Sequence, residues 1–169
     1  MRSERLALDL ERLQALLRAL AAADAQTAVL LAQTDGQVLT SLPGVAVTRA
    51  AAFAAHSLPI ERFPSAERLY SATGLAPAGY QSGTIARRCG ISRQGLAEHR
   101  DALMAIAWGL SQAAPAFRER AHEYRTRGFA PLQVRVALAR HACRLCHALL
   151  RNQQPYDEER YRQARRRGR

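Results

Sequence analysis

The chain has 169 residues, 48% of them hydrophobic but only 6% aromatic, and it carries a net charge of +11. That apolar share excludes a disordered chain, and its Ala- and Leu-rich character favours helices packed on helices, an all-α fold. Three cysteines, an odd number, exclude a disulfide framework. The amphipathic start has no apolar signal core and no unbroken run of about 18 apolar residues, so the expected location is the cytoplasm, with no membrane partner.

The charge is one-sided. Residues 1–80 hold seven Arg and seven acids, whereas residues 81–169 hold eighteen Arg and seven acids. All 25 basic residues are Arg. Such an excess points to a polyanionic partner, with phosphate first, because the planar guanidinium matches phosphate oxygens and base edges. The alternative is a solvated basic surface.

In chain order, residues 4–32 read as one long helix. Leu6, Leu10, Leu13, Leu17 and Leu20 follow 4-3-4-3 spacing, the seam of a coiled coil or helical hairpin. An ordinary core-facing helix fits the same pattern. Asp35-Gly36 ends it, so residues 1–36 are expected to be a coiled-coil-like linker or oligomerisation helix. Leu42-Pro43-Gly44-Val45 then precedes a helix from Thr48 to His56, and this turn resembles a helix-hairpin-helix. In that motif, backbone N–H groups at the second helix's start meet DNA phosphate, here around Gly44 and Val45. Ala46 stands where a second Gly is usual, which restricts φ. A plain helix–helix turn is the competing reading.

Ser65 can N-cap a short helix over 65–72. Half of the ten glycines then fall within residues 74–95, an expected irregular, Gly-rich active-site loop. Helices are expected near 95–112, 115–127 and 131–151, punctuated by Pro115, Gly128 and Pro131. Residues 37–154 would form the helical DNA-binding domain, and 155–169 a basic disordered tail that gains order on nucleic acid.

Several short elements in fixed order carry a family resemblance. They are Leu42-Pro43-Gly44-Val45, Arg62-Phe63-Pro64-Ser65, Gly74-Leu75-Ala76-Pro77, Gln81-Ser82-Gly83 and Gly90-Ile91-Ser92-Arg93-Gln94-Gly95. Tyr124 to Gly128 and Ala137-Leu138-Ala139-Arg140 complete the set. Together they resemble the C-terminal domain of the insertion-sequence one-ten transposases, the group that includes the pilin-gene-inverting recombinases. The resemblance spans about two-thirds of the chain. It implies DNA transposition and recombination, with DNA as partner and, in some members, a guide RNA.

Family members pair this serine-bearing domain with a RuvC-like domain that carries a DEDD carboxylate set. The family's nucleophilic serine falls on Ser82. No carboxylate cluster occurs in residues 1–41, so the resemblance implies a partial enzyme, inactive alone, with its divalent metal held in the other domain and no cofactor here. His99 replaces the Leu usual before Arg100.

A serine attacking a phosphodiester needs a base and cationic support for the phosphorus. Arg87, Arg88 and Arg93 are candidate clamps for that phosphate, and His99 is the nearest imidazole in sequence. Tyr80 is a lesser candidate nucleophile, without recognisable Arg/His company. Arg100, Arg140 and Arg144 are candidate DNA contacts, the last two on a stripe with His147 and Arg151. Arg118, Arg120, Arg125 and Arg127 extend that basic face. Cys143-Arg144-Leu145-Cys146-His147 matches a haem-attachment pattern, but Cys143 and Cys146 fall on the apolar stripe of their helix and read as core thiols. Two other readings remain: a non-catalytic nucleic-acid-binding module, and a helical interaction protein.

Overall fold

The structure, a computed structural model, describes residues 2–82, 85–92 and 94–167, with side chains described for 5–77, 90–92 and 94–165. Seven α-helices and one β-hairpin are present among them: α1 (Arg2–Ala32), α2 (Val47–Ser57), α3 (Ala66–Ala72), β1 (Pro77–Ser82), β2 (Ile85–Ile91), α4 (Ala97–Ala113), α5 (Pro115–Thr126), α6 (Pro131–Asn152) and α7 (Glu158–Arg167). Two 3₁₀ turns, Asp35–Ser41 and Ile60–Arg62, flank α2. The fold is all-α in class, with the hairpin as its one departure.

Local chemistry accounts for the helix ends. The Ser65 hydroxyl accepts the Arg68 N–H (3.3 Å) at the start of α3. Pro115 and Pro131 open α5 and α6, where a missing N–H costs nothing. At the head of α6 the Gln133 side chain also accepts the Ala130 N–H (2.9 Å). Gly128 closes the α5–α6 connection with φ +81°.

α4 lies at the centre, packed on α2, α5 and α6, while α3 packs on the other side of α6. Leu103, Ile106 and Leu110 of α4 meet Phe53 of α2, Phe117 of α5 and the Leu138, Ala142, Cys146 and Leu150 face of α6 in one core. The turn before α2 is pressed against α4. A Cβ on Gly44 would sit 2.5 Å from the Gly109 carbonyl oxygen, and Gly44 itself has φ +74°. Both requirements select glycine.

Two expectations need correction. The Gly-rich segment is not an irregular loop. Residues 77–91 form an antiparallel hairpin in which Gly79 pairs with Arg88, Tyr80 with Arg87 and Ser82 with Ile85. The ladder shifts register between Pro77 and Ala78. Only two residues, a Gly and a Thr, separate the strands in sequence, a length typical of tight hairpins.

The basic tail is likewise not disordered through residues 158–167. Tyr161 of α7 stacks on Phe117 at 5.4 Å, Arg162 bonds Glu119 at 2.6 Å, and Arg165 bonds Glu123. Glu158 accepts the Ala116 N–H (2.9 Å), so it caps α5 from another element.

α1 differs from every other helix. Among the described residues its leucine seam is not covered: Leu6, Leu10, Leu13, Leu17 and Leu20 are half exposed or more, and of the helix's leucines only Leu31 enters the core. Its last turns reach α2, where Thr48 Oγ1 donates to Asp24 (3.3 Å). Among the described residues, Arg5–Ala32 is long and apolar enough to cross a membrane by length and composition, although Arg5, Asp9, Glu11, Arg12, Arg18 and Asp24 are charged.

Candidate nucleic-acid interface

The turn at 42–46 resembles a phosphate-binding hairpin in sequence, with a plain helix–helix turn as the competing reading. Ala46 adopts φ −82°, a value any residue takes freely, so the missing second glycine is no obstacle. The local geometry is nevertheless devoted to packing. Val45 is buried and donates its N–H to the Leu42 carbonyl (3.1 Å). The Gly44 carbonyl accepts a hydrogen bond from Arg49 (2.5 Å). Asp24 stands beside the uncapped start of α2, where a carboxylate already answers the helix dipole. The Val45 N–H is therefore already used inside the turn and is not free for a phosphate.

The hairpin projects from between α3 and α4. Its base is fixed by Ser92, whose N–H donates to the Ala76 carbonyl (2.9 Å) and whose hydroxyl donates to the Gly74 carbonyl (3.3 Å). Ser82 ends β1, five residues beyond Pro77, which places its backbone about 16 Å along the strand from the base. Arg87 and Arg88 belong to β2, paired with Tyr80 and Gly79. The side chains of Ser82, Arg87 and Arg88 lie outside the described residues, and so does Arg93 entirely.

Arg140 and Arg144 of α6 line a small groove of about 90 Å³ with Glu67 and Tyr70 of α3 and with Pro77, the first residue of β1. Both are exposed, and Arg144 bonds Glu67 at 3.2 Å. These two cations thus flank the base of the strand that ends in Ser82. On the same stripe His147 donates from Nε2 to the Phe63 carbonyl (2.9 Å), which ties it to packing, while Arg151 is exposed.

The arginines of α5 divide. Arg118, Arg125 and Arg127 are exposed. Arg120 is not part of an outward face: it donates to His141 Nε2 at 2.8 Å, and its Nε is buried without a partner. Arg100 is half-buried, with one terminal nitrogen enclosed and unpartnered.

Residues 36–122, about half of the chain, match the model of the family described as Transposase IS116/IS110/IS902. The chain belongs to this transposase family. It is 34% identical over 125 residues to a Streptomyces coelicolor protein named "Insertion element IS110 uncharacterized 43.6 kDa protein". That stretch is 74% of this chain and 31% of the relative, so the chain spans about a third of that protein's length.

The matched stretch of this transposase-family chain runs from the turn before α2, through the hairpin, to α5. It contains His99, which is a core residue rather than a ready base. His99 is 2% exposed, with Nε2 3.0 Å from the Ser57 hydroxyl, which is also buried. Burial first, then the charges of His56 and Arg62, lowers its pKa to about 4. It is a neutral core histidine that locks α4 to α2. Its polar partner, Ser57, satisfies the imidazole inside the core.

Glu98 and Asp101 are exposed on the first turns of α4, and Glu98 suits the helix dipole there. Cys143 and Cys146 are fully buried. Desolvation raises the Cys143 thiol to about 12 and Cys146 well above its ordinary value, so neither is a thiolate. His141 Nε2 already accepts from Arg120 and from the Tyr124 hydroxyl (2.9 Å). Among the described residues no group of three or more His, Cys, Asp or Glu is placed to hold a metal ion.

Proposed function

We propose that this chain is the DNA-binding, serine-bearing C-terminal portion of an IS110-family transposase. Ser82 is the nucleophile in this reading. Its hydroxyl gives up its proton to a base and attacks a DNA phosphodiester. A serine–phosphate ester forms as the bond from phosphorus to one deoxyribose oxygen breaks, that sugar leaves as a free hydroxyl, and Arg87, Arg88 and Arg93 support the charge on phosphorus. The base and the divalent metal belong to a carboxylate-bearing domain outside these 169 residues. Exposed Arg140 and Arg144, with Arg100 and the outward arginines of α5, hold the flanking phosphates, and the Gly44–Val45 backbone adds at most a minor contact. The same cations suit a guide RNA.

The observation that carries this reading is the family match, which includes the Ser82 hairpin, together with the placement of Arg140 and Arg144 at that hairpin's base. The half-exposed leucine seam of α1 supports pairing with a second copy of the chain rather than a place in the core. The test is a recombination assay with the carboxylate-bearing domain joined to this chain. Ser82→Ala should abolish recombination while DNA binding persists. Unchanged recombination rejects Ser82 as the nucleophile.

A further inference from the structure

The chain's only tryptophan is placed expensively. Trp108 lies on α4, whose Leu103, Ile106 and Leu110 are fully buried, yet it is 45% exposed. It forms one wall of a groove of about 230 Å³ between α4, α5 and α6. Arg135 of α6 stands over the indole ring, 5.0 Å from its centroid, and Arg125 of α5 lines the same groove. Val134 and Leu138 supply an apolar floor, and Ser111 a hydroxyl. No carboxylate lines the groove, and neither Arg125 nor Arg135 forms an ion pair among the described residues.

This combination specifies a ligand that is both flat and anionic. An indole face recognises a π-system, and two unpaired guanidinium groups recognise phosphate. A second copy of the chain fits poorly, since it would bring the same cations to face these, unpaired and desolvated. Nearby, Arg127 sits over both Phe129 (5.4 Å) and Tyr124 (6.0 Å). Phe129, itself partly exposed, is two residues from Pro131, which lines the groove. A second aromatic–arginine pair therefore adjoins the first, as a platform for successive bases requires.

We propose that the Trp108–Arg135 groove is a base-stacking site for single-stranded nucleic acid, with Arg125 on the adjoining phosphate. It rests on the nucleic-acid-binding reading above but adds a strand-specific function that basic helices alone do not supply. Duplex DNA keeps its bases stacked on each other, so only an unpaired segment can use the indole. Two sources share this chemistry: a DNA strand opened during recombination, and a single-stranded stretch of RNA.

The test uses the whole chain and Trp108 fluorescence, with oligothymidylate and oligouridylate of about ten nucleotides, a duplex of equal length, and polyglutamate. Both oligonucleotides should quench Trp108 emission, and polyglutamate should not. By anisotropy of a labelled strand, Trp108→Ala should weaken oligonucleotide binding about 5- to 100-fold, the range typical of one lost stacking contact. Duplex binding should change less than about twofold, and Trp108→Phe should retain most of the affinity. Tighter thymidylate identifies the DNA strand, and tighter uridylate the RNA; either supports the site. Trp108 emission left unquenched by both oligonucleotides while the duplex still binds, unchanged oligonucleotide affinity in Trp108→Ala, or equal quenching by polyglutamate overturns the groove alone. Failure to bind any nucleic acid overturns both this inference and the reading beneath it.

Discussion

The two terminal helices reverse what their compositions promise. α1 is rich in leucine and touches the rest of the chain only near its end, whereas α7, which carries five arginines, is docked. Hydrophobicity alone therefore does not decide which helix packs. α7 is held by a few matched groups: Tyr161 on Phe117, Arg162 and Arg165 on Glu119 and Glu123, and Glu158 on the Ala116 N–H. α1 has an apolar seam that no surface among the described residues covers. A seam of that kind is satisfied by another seam, and a charged helix by a surface of opposite charge with an aromatic anchor.

The largest expected effect lies on α1. Leu13→Glu with Leu17→Glu should weaken self-association at least about a hundredfold, since each copy loses two leucines from the seam. The melting temperature of the remaining fold should barely move, which sedimentation and calorimetry would show together. A variant that stays associated would place the interface elsewhere.

Acid should act on the helical core, through α4 and α6. Burial, then the charge of Arg120, lowers the His141 pKa to about 4, and burial lowers His99 to a similar value. Both ordinarily titrate near 6.5. Each favours the folded state fully above about pH 6.5, and that contribution drains away as the pH falls toward 4. Thermal stability should therefore drop by several degrees between pH 7 and pH 4.5. His99→Leu with Ser57→Ala should flatten part of that slope without leaving a buried hydroxyl unpaired.

A smaller loss, about 2 kcal/mol, is expected for Tyr161→Ala, from its buried ring area and its stacking on Phe117. Proteolysis within 158–167 should rise in this variant while α1 is cleaved as before. Smallest of all, Glu119→Gln should cost under about 1 kcal/mol, because its ion pairs are half exposed. It should also strengthen DNA binding a few-fold, because Arg162 then shares its charge with Glu158 alone. No change in binding would show that α7 takes no part in the DNA-facing surface.

Much of this architecture was readable in the chain. Pro115, Pro131 and Gly128 mark the limits of α5 and α6, Ser65 caps α3 as expected, and the spacing of Cys143 and Cys146 places both in the core. Leu132, at the first turn of the same helix, is exposed. The hairpin was obscured because five glycines in 22 residues outweighed the two-residue spacing between strands. α7 was obscured because Tyr161 gains meaning only beside Phe117, 44 positions earlier. The His99–Ser57 pair and the Trp108–Arg135 groove are likewise long-range, and no local pattern marks them. Ser82 is in a different position: its assignment comes from the family, and the ladder adds only that its backbone ends a strand.

Central to the account is that the exposed arginines grip DNA phosphate, and the salt dependence of binding tests this most directly. Each neutralised phosphate contributes a slope of roughly −0.9 in log affinity against log salt. Four or five contacts, including those of Arg140 and Arg144, predict a slope of about −4 for the 169-residue chain on duplex DNA, and Arg140→Ala with Arg144→Ala should make it shallower by about 2. A slope near zero would contradict the account, as would one that this double substitution leaves unchanged.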